Sequence, residues 1–192
     1  MNKSLLTSTW LIPIMILLAA ATRVLPHWPN FTAVGAMALF GAATLRQRWQ
    51  AVLVPFAALY LSDLVINNVL YAGYYDHFTW QISPFVYLAF GVVLEVGFWL
   101  RRRISTGRVI GASILTSILF FLTTNAGSWW IDPMYTKDVT GLLAAYTAGI
   151  PFFCSTLAGD LFYCAVLFGA YAWASHNGYV RSAQWEKIPE QS

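Results

Sequence analysis

The sequence predicts an all-α integral membrane protein with six transmembrane helices, both termini in the cytoplasm and a short second helix. Three observations carry the prediction: 58% of residues are apolar and only 10% charged, the chain falls into six apolar blocks, and its basic residues are divided very unequally between the loops. Soluble domains carry about 25% charged residues, so most of this surface is not built to face water, and the mean hydropathy of +0.59 agrees. With about 20 apolar residues per span, 192 residues hold six helices and little else. This excludes a sizeable soluble domain, a disordered chain and a disulfide scaffold. The pI near 9.0 reads as an orientation signal rather than a nucleic-acid surface, because the chain has only 11 Lys and Arg.

Charges and turn residues set the blocks. The first, 5–22, contains Pro13 and ends at Arg23. Pro26 and Pro29 then oppose helix, since each lacks an N–H and biases the preceding residue toward extended geometry. The second block, 32–45, is short for a span. The third is 51–72, the fourth 83–100 and the fifth 109–130. Residues 142–150 read as an amphipathic lead-in, and 151–174 as the last span. Residues 1–174 form one transmembrane domain on this reading, and 175–192 a polar tail in the cytoplasm. Lys3, the apolar run and Ala19-Ala20-Ala21 also resemble a signal peptide with a small-residue cleavage site; the length of the run favours a retained helix.

Loop charge tests the count. If all six blocks cross, one side holds Lys3, Arg46, Arg48, Arg101, Arg102, Arg103, Arg108, Arg181 and Lys187, and the other only Arg23 and Lys137. Nine against two is the positive-inside pattern. It places both termini of a multi-pass membrane protein in the cytoplasm.

Ionisable groups within a bilayer are costly, and each is a functional hypothesis. Asp63 lies past the middle of the third span, with Asn67 one turn on. Asn125 lies near the outer end of the fifth span and Asp160 in the outer half of the last. The four fall at similar depth on three helices, where they can converge on one outward-facing pocket for a small molecule. His27, Asn30 and outer aromatic residues such as Trp129 would form its lid, since aromatic rings stack on flat ligands and shield them from water. The structural alternative is that Asn and Asp simply join helices by hydrogen bonds, worth about 0.6 kcal/mol each. Glu95, nearer the cytoplasmic end of the fourth span, is expected to reach toward Arg101 or Arg102.

Other chemistry has little support. Cys154 and Cys164 are ten residues apart on one helix, about 15 Å along its axis, and cannot bridge. No histidine has a partner at helical spacing for zinc or haem. No phosphate-cradling glycine loop is present, so ATP-driven activity needs another subunit. No metal or cofactor is expected, and no catalytic residue. Asp63 and Asp160 could form the dyad of an intramembrane aspartyl protease, but Ser62 precedes the first, Leu157 holds the first glycine position of Gly-x-Gly-Asp, and no Pro-Ala-Leu follows.

The run Arg23, Leu25-Pro26-His27-Trp28-Pro29-Asn30-Phe31, Gly35-Ala36, Ala38-Leu39-Phe40-Gly41 resembles the opening signature of an uncharacterised bacterial membrane family assigned to transport. The resemblance continues through Pro55, Ser62-Asp63, Thr124-Asn125, Tyr135, Gly141-Leu142, Tyr146, Ile150-Pro151-Phe152-Phe153 and Gly159-Asp160-Leu161-Phe162-Tyr163. Ala33 stands where that family usually has proline. The family is similar in size and layout to the substrate-binding S components of energy-coupling-factor vitamin transporters. The resemblance implies six helices, a ligand pocket near the outer face, and energy drawn from a separate coupling subunit with ATPases. S components often present an Ala-x-x-x-Ala surface on the first helix; here the nearest such pair is Ala38 and Ala42 on the second. The expected function is therefore a transport protein or substrate-capture subunit for a vitamin-like or heterocyclic metabolite. The alternative is a non-transport scaffold or assembly factor.

Overall fold

A computed structural model describes residues 3–179, with side chains from residue 10 onward. Among these residues the chain is all-helical. Helix α1 (Lys3–Ala21) continues into a 3₁₀ turn, Thr22–Val24. The proline-bearing loop 25–33 follows, turning at Asn30, whose φ of 61° is a left-handed conformation that asparagine tolerates better than most residues. Helix α2 (Val34–Thr44) and helix α3 (Arg48–Val65) are joined by a tight turn, and α3 ends in a π turn, Ile66–Leu70. Helix α4 (Pro84–Leu100) opens on proline, whose missing N–H costs nothing in the first turn. Helices α5 (Thr106–Ile131) and α6 (Val139–His176) complete the bundle.

The centre of the bundle is α2. All eleven of its residues are buried, and it packs on each of the other five helices. Helices in lipid associate through close packing of small residues, and the glycines here explain how five neighbours fit around one helix. A Cβ on Gly41 would stand 2.5 Å from Pro55 of α3, and one on Gly97 of α4 would stand 2.5 Å from Ala42. Phe40 fills the remaining space, edge-on to Phe168 at 5.2 Å and near Tyr171 at 6.0 Å.

Helix lengths create the site. At 1.5 Å per residue α2 is about 16 Å long, whereas α5 spans about 39 Å and α6 about 57 Å. A hydrocarbon core is about 30 Å thick, so α2 fills about half of it.

Three helices are long and apolar enough to cross a membrane: Arg48–Leu70, Thr106–Ile131 and Val139–His176. The other three apolar segments, Trp10–Val24, Val34–Thr44 and Pro84–Leu100, are shorter. These properties mark a membrane protein. Two details differ from the sequence reading. Residues 142–150 are not a separate lead-in but part of α6, which runs unbroken through Pro151. Membrane helices absorb the lost backbone bond through local adjustment and neighbouring side chains. Ala38 and Ala42 are fully buried and face neighbouring helices rather than an outside partner. Both cysteines are free, Cys164 buried and Cys154 exposed. The polar tail lies outside the described residues from position 180 onward.

Candidate functional site

Beyond the N-terminus of α2, where that helix leaves the bundle unfilled, lies a cavity of about 450 Å³, within the size range of small-molecule sites. Arg23, Asn30 and Thr32 border it on the first loop side, and Val34 and Gly35 from the start of α2. Helix α5 contributes Phe120, Phe121, Thr124, Asn125 and Ser128. Helix α6 contributes Ala145, Ala148, Gly149, Phe152, Phe153, Thr156 and Asp160, and Tyr135 adds a ring from the loop between them. Phenyl rings and hydroxyl or amide groups therefore line one space.

Asp160 is the deepest polar group, only 2% exposed. Its Oδ1 accepts from the Ala36 backbone N–H at 3.2 Å and its Oδ2 from the Ser117 hydroxyl at 2.7 Å. Helix α2 begins at Ala33 with no side-chain cap of its own, so a carboxylate from α6 serves a helix end whose N–H groups and dipole favour negative charge. The contact requires glycine. A Cβ at Gly35 would stand 2.5 and 2.6 Å from the two Asp160 oxygens. Gly159 also brings the loop close, since its Cβ would meet Thr32 N at 3.0 Å and Thr32 O at 3.1 Å.

Asp63 proves to be paired, contrary to its expected place as a free pocket carboxylate. Its Oδ1 lies 2.8 Å from Arg23 Nη2, and its Oδ2 accepts from the Tyr87 hydroxyl at 3.0 Å. Arg23 also donates to the Ser62 hydroxyl and, at 3.4 Å, to the Leu59 carbonyl. Arg23 thus forms part of the cavity wall, with Asp63 behind it. The sequence reading counted Arg23 as a loop charge; the signal available was a buried carboxylate in need of a cation.

The other expected site residues separate into two groups. Asn125, Asn30 and Asp160 meet at the cavity. Asn125 donates to the Phe121 carbonyl at 2.8 Å, which orients its amide, and the absence of a side chain at Gly149 makes room for that amide. Asn67, His27 and Trp129 lie outside the lining. Asn67 donates to the Gln81 carbonyl at 3.1 Å, tying the end of α3 to the loop before α4. Its neighbour Asn68 does the same, donating to Thr79 O at 2.9 Å and accepting from Thr79 N at 2.7 Å. His27 is exposed, with Nδ1 2.5 Å from the Leu25 carbonyl oxygen. Trp129 donates to Thr136 O at 2.8 Å, and Lys137 donates to Asp132 O at 2.7 Å, so both secure the loop that follows α5. Ser117 is easily passed over because a hydroxyl within a span stands out less than an amide or a carboxylate, Gly35 appears only within the signature run, and Gly149 carries no polar or charge signal. Among the described residues no three His, Cys, Asp or Glu side chains gather as a metal site.

That same loop is fastened at the head of α6. Asp138 accepts from Gly141 N at 2.8 Å and from the Thr136 hydroxyl at 2.9 Å, a helix N-cap. These bonds, the Gly141 N–H first, hold its carboxyl below the usual aspartate range. A lowered value means the cap is present above the ordinary aspartate pKa and is lost as pH falls through the lowered one. Asp138→Ala is expected to fray the first turn of α6. Hydrogen exchange at residues 139–142 checks this: faster exchange in the variant at neutral pH, and no difference between variant and wild type once the carboxyl is protonated.

The fold and the cavity define a helical membrane protein with a polar-lined pocket over a buried half-length helix. The chain belongs to a family of unknown function, DUF6580, whose match covers residues 3–183. No curated protein and no solved structure matches it.

Proposed function

We propose that this protein is a transport protein or substrate-capture subunit that binds a small, flat, polar-edged metabolite, of vitamin-like or heterocyclic type, in the cavity above α2. The observation that supports the reading is the composition of that cavity. Phe120, Phe121, Phe152 and Phe153 offer faces for a flat ring, while Asn30, Asn125, Thr124, Thr156 and Asp160 offer hydrogen-bond partners for its edge. Such a mixture of apolar walls and few convergent polar groups is what orients a bound small molecule. The nine-to-two division of basic residues supports insertion in a bacterial cytoplasmic membrane with both termini inside, which turns the cavity outward. The chain carries no nucleotide-binding motif, so active uptake draws on a coupling subunit with ATPases. With Ala38 and Ala42 buried, that subunit would dock elsewhere than on an Ala-x-x-x-Ala surface of α2. No catalytic role is assigned to the site.

A scaffold reading keeps one specific support: Asp63, Asn67 and Asn68 are all engaged in joining elements of the protein. Native mass spectrometry of the purified protein separates the two. A co-purified metabolite that is lost in Asn125→Ala, with unfolding temperature unchanged, supports binding. Asn125→Ala and Asp160→Asn variants that lose thermal stability, from a protein that never carries a metabolite, would leave the scaffold reading standing.

A further inference from the structure

A second cavity, of about 440 Å³, lies at the opposite end of the bundle between the start of α3 and the end of α4, lined by Arg48, Glu95, Phe98, Trp99, Arg101 and Arg102. Glu95 does not form the expected ion pair: among the described residues none of these four charged side chains is salt-bridged. Three guanidinium groups against one carboxylate leave the space net positive. Arg101 donates to the Arg46 carbonyl, which fixes it at the rim, and burial together with the nearby Arg48 charge holds its pKa down. Helix α3 starts here without a side-chain cap, so its first N–H groups add further donors at the same end. Arg108 stacks on the Trp99 ring at 4.4 Å and braces that wall.

Three guanidinium groups in one lining, none ion-paired among the described residues and with a single carboxylate deeper in, favour an anion at the rim, and the surroundings favour one source. Trp49 and Trp99 are 60% and 50% exposed beside the cavity, and exposed tryptophans at helix ends mark the level of lipid headgroups. Glu95 precedes Arg101 by six residues, about 9 Å deeper along α4, and so leaves the rim to the arginines. We propose that this cavity binds an anionic phospholipid, its phosphate held by Arg48, Arg101 and Arg102 and its glycerol backbone laid against Phe98 and Trp99. Basic pockets between transmembrane helices recognise lipid headgroups in this manner.

The test uses the full-length protein in neutral detergent, titrated with phosphatidylglycerol or with phosphatidylcholine of the same acyl chains and read by native mass spectrometry. Phosphatidylglycerol is expected to bind about tenfold more tightly, the effect of roughly 1 kcal/mol for each of one or two surface arginines. Arg48→Gln and Arg102→Gln each lower its retention several-fold. Arg103→Gln removes the same charge outside the cavity lining and leaves retention unchanged. Arg48→Lys, with unfolding temperature monitored, keeps most of the binding and distinguishes lost contact from misfolding. Equal binding of the two lipids overturns the proposal, as does an equal loss in Arg103→Gln. Displacement of the lipid by millimolar inorganic phosphate would make this a free-anion site and would also overturn it.

Discussion

Arg23→Ala is expected to lower stability by about 2 kcal/mol, less than the cost of leaving one member of a fully buried ion pair alone. The side chains of Arg23 and Asp63 are 12% and 18% exposed, so water from the cavity softens the loss without removing it. The variant strands the Asp63 carboxylate with only the Tyr87 hydroxyl and leaves Ser62 without its guanidinium donor. Thermal unfolding in detergent measures the loss. Adding Asp63→Asn to Arg23→Ala should recover most of it, because the charge that became unpaired is gone. Arg23→Lys should recover only part, since an ammonium lacks the fork that reaches Asp63 and Ser62 together. Strict additivity of Arg23→Ala and Asp63→Asn would show that the two side chains do not interact, and the account of the cavity wall would fall.

Gly35→Ala is the second large effect, about 2–4 kcal/mol, combining overpacking with the cost of disturbing a buried, hydrogen-bonded carboxylate. The new methyl would occupy space 2.5 Å from Asp160 Oδ1 and 2.8 Å from its Cγ. The carboxylate cannot simply swing aside, because Ser117 and the Ala36 N–H hold both of its oxygens. Asp160→Ala in the same background should therefore restore part of the stability lost in Gly35→Ala, even though Asp160→Ala is destabilising by itself. A double variant no more stable than Gly35→Ala would place the strain elsewhere. Ligand retention in these variants is a separate readout: if the cavity is the binding site, it falls in both single variants and stays lost in the double.

The helical architecture was legible because its signals are one-dimensional. Block hydropathy and loop prolines need no knowledge of neighbours, and they place most helix ends to within a few residues. Pro151 misled because a proline is judged locally, while α6 persists through it on support from the rest of the bundle. The 14-residue second block was recognised as short, but nothing in its own sequence states that every side would be covered by other helices. At the site, Asp160, Asn125 and Asn30 stood out because polar groups in an apolar context are rare. Depth alone could not tell that Asp63 turns toward Arg23, forty residues earlier in the chain, instead of into open space. Gly35 stood only within the signature run and Gly149 not at all, for the opposite reason: their role is the volume they leave to the carboxylate of Asp160 and the amide of Asn125, and an absence of atoms does not state its purpose along a sequence.

The close approach of Gly35 to Asp160 carries an evolutionary consequence. The two positions lie 125 residues apart yet are not free to drift separately. A larger residue at 35 is tolerable only after the carboxylate at 160 has gone. A carboxylate at 160 can arise only where 35 is still glycine. Relatives that lose the pair should lose it in that order, and with it the carboxyl group that caps α2 at the floor of the cavity. Such lineages would have rebuilt the polar floor of the cavity.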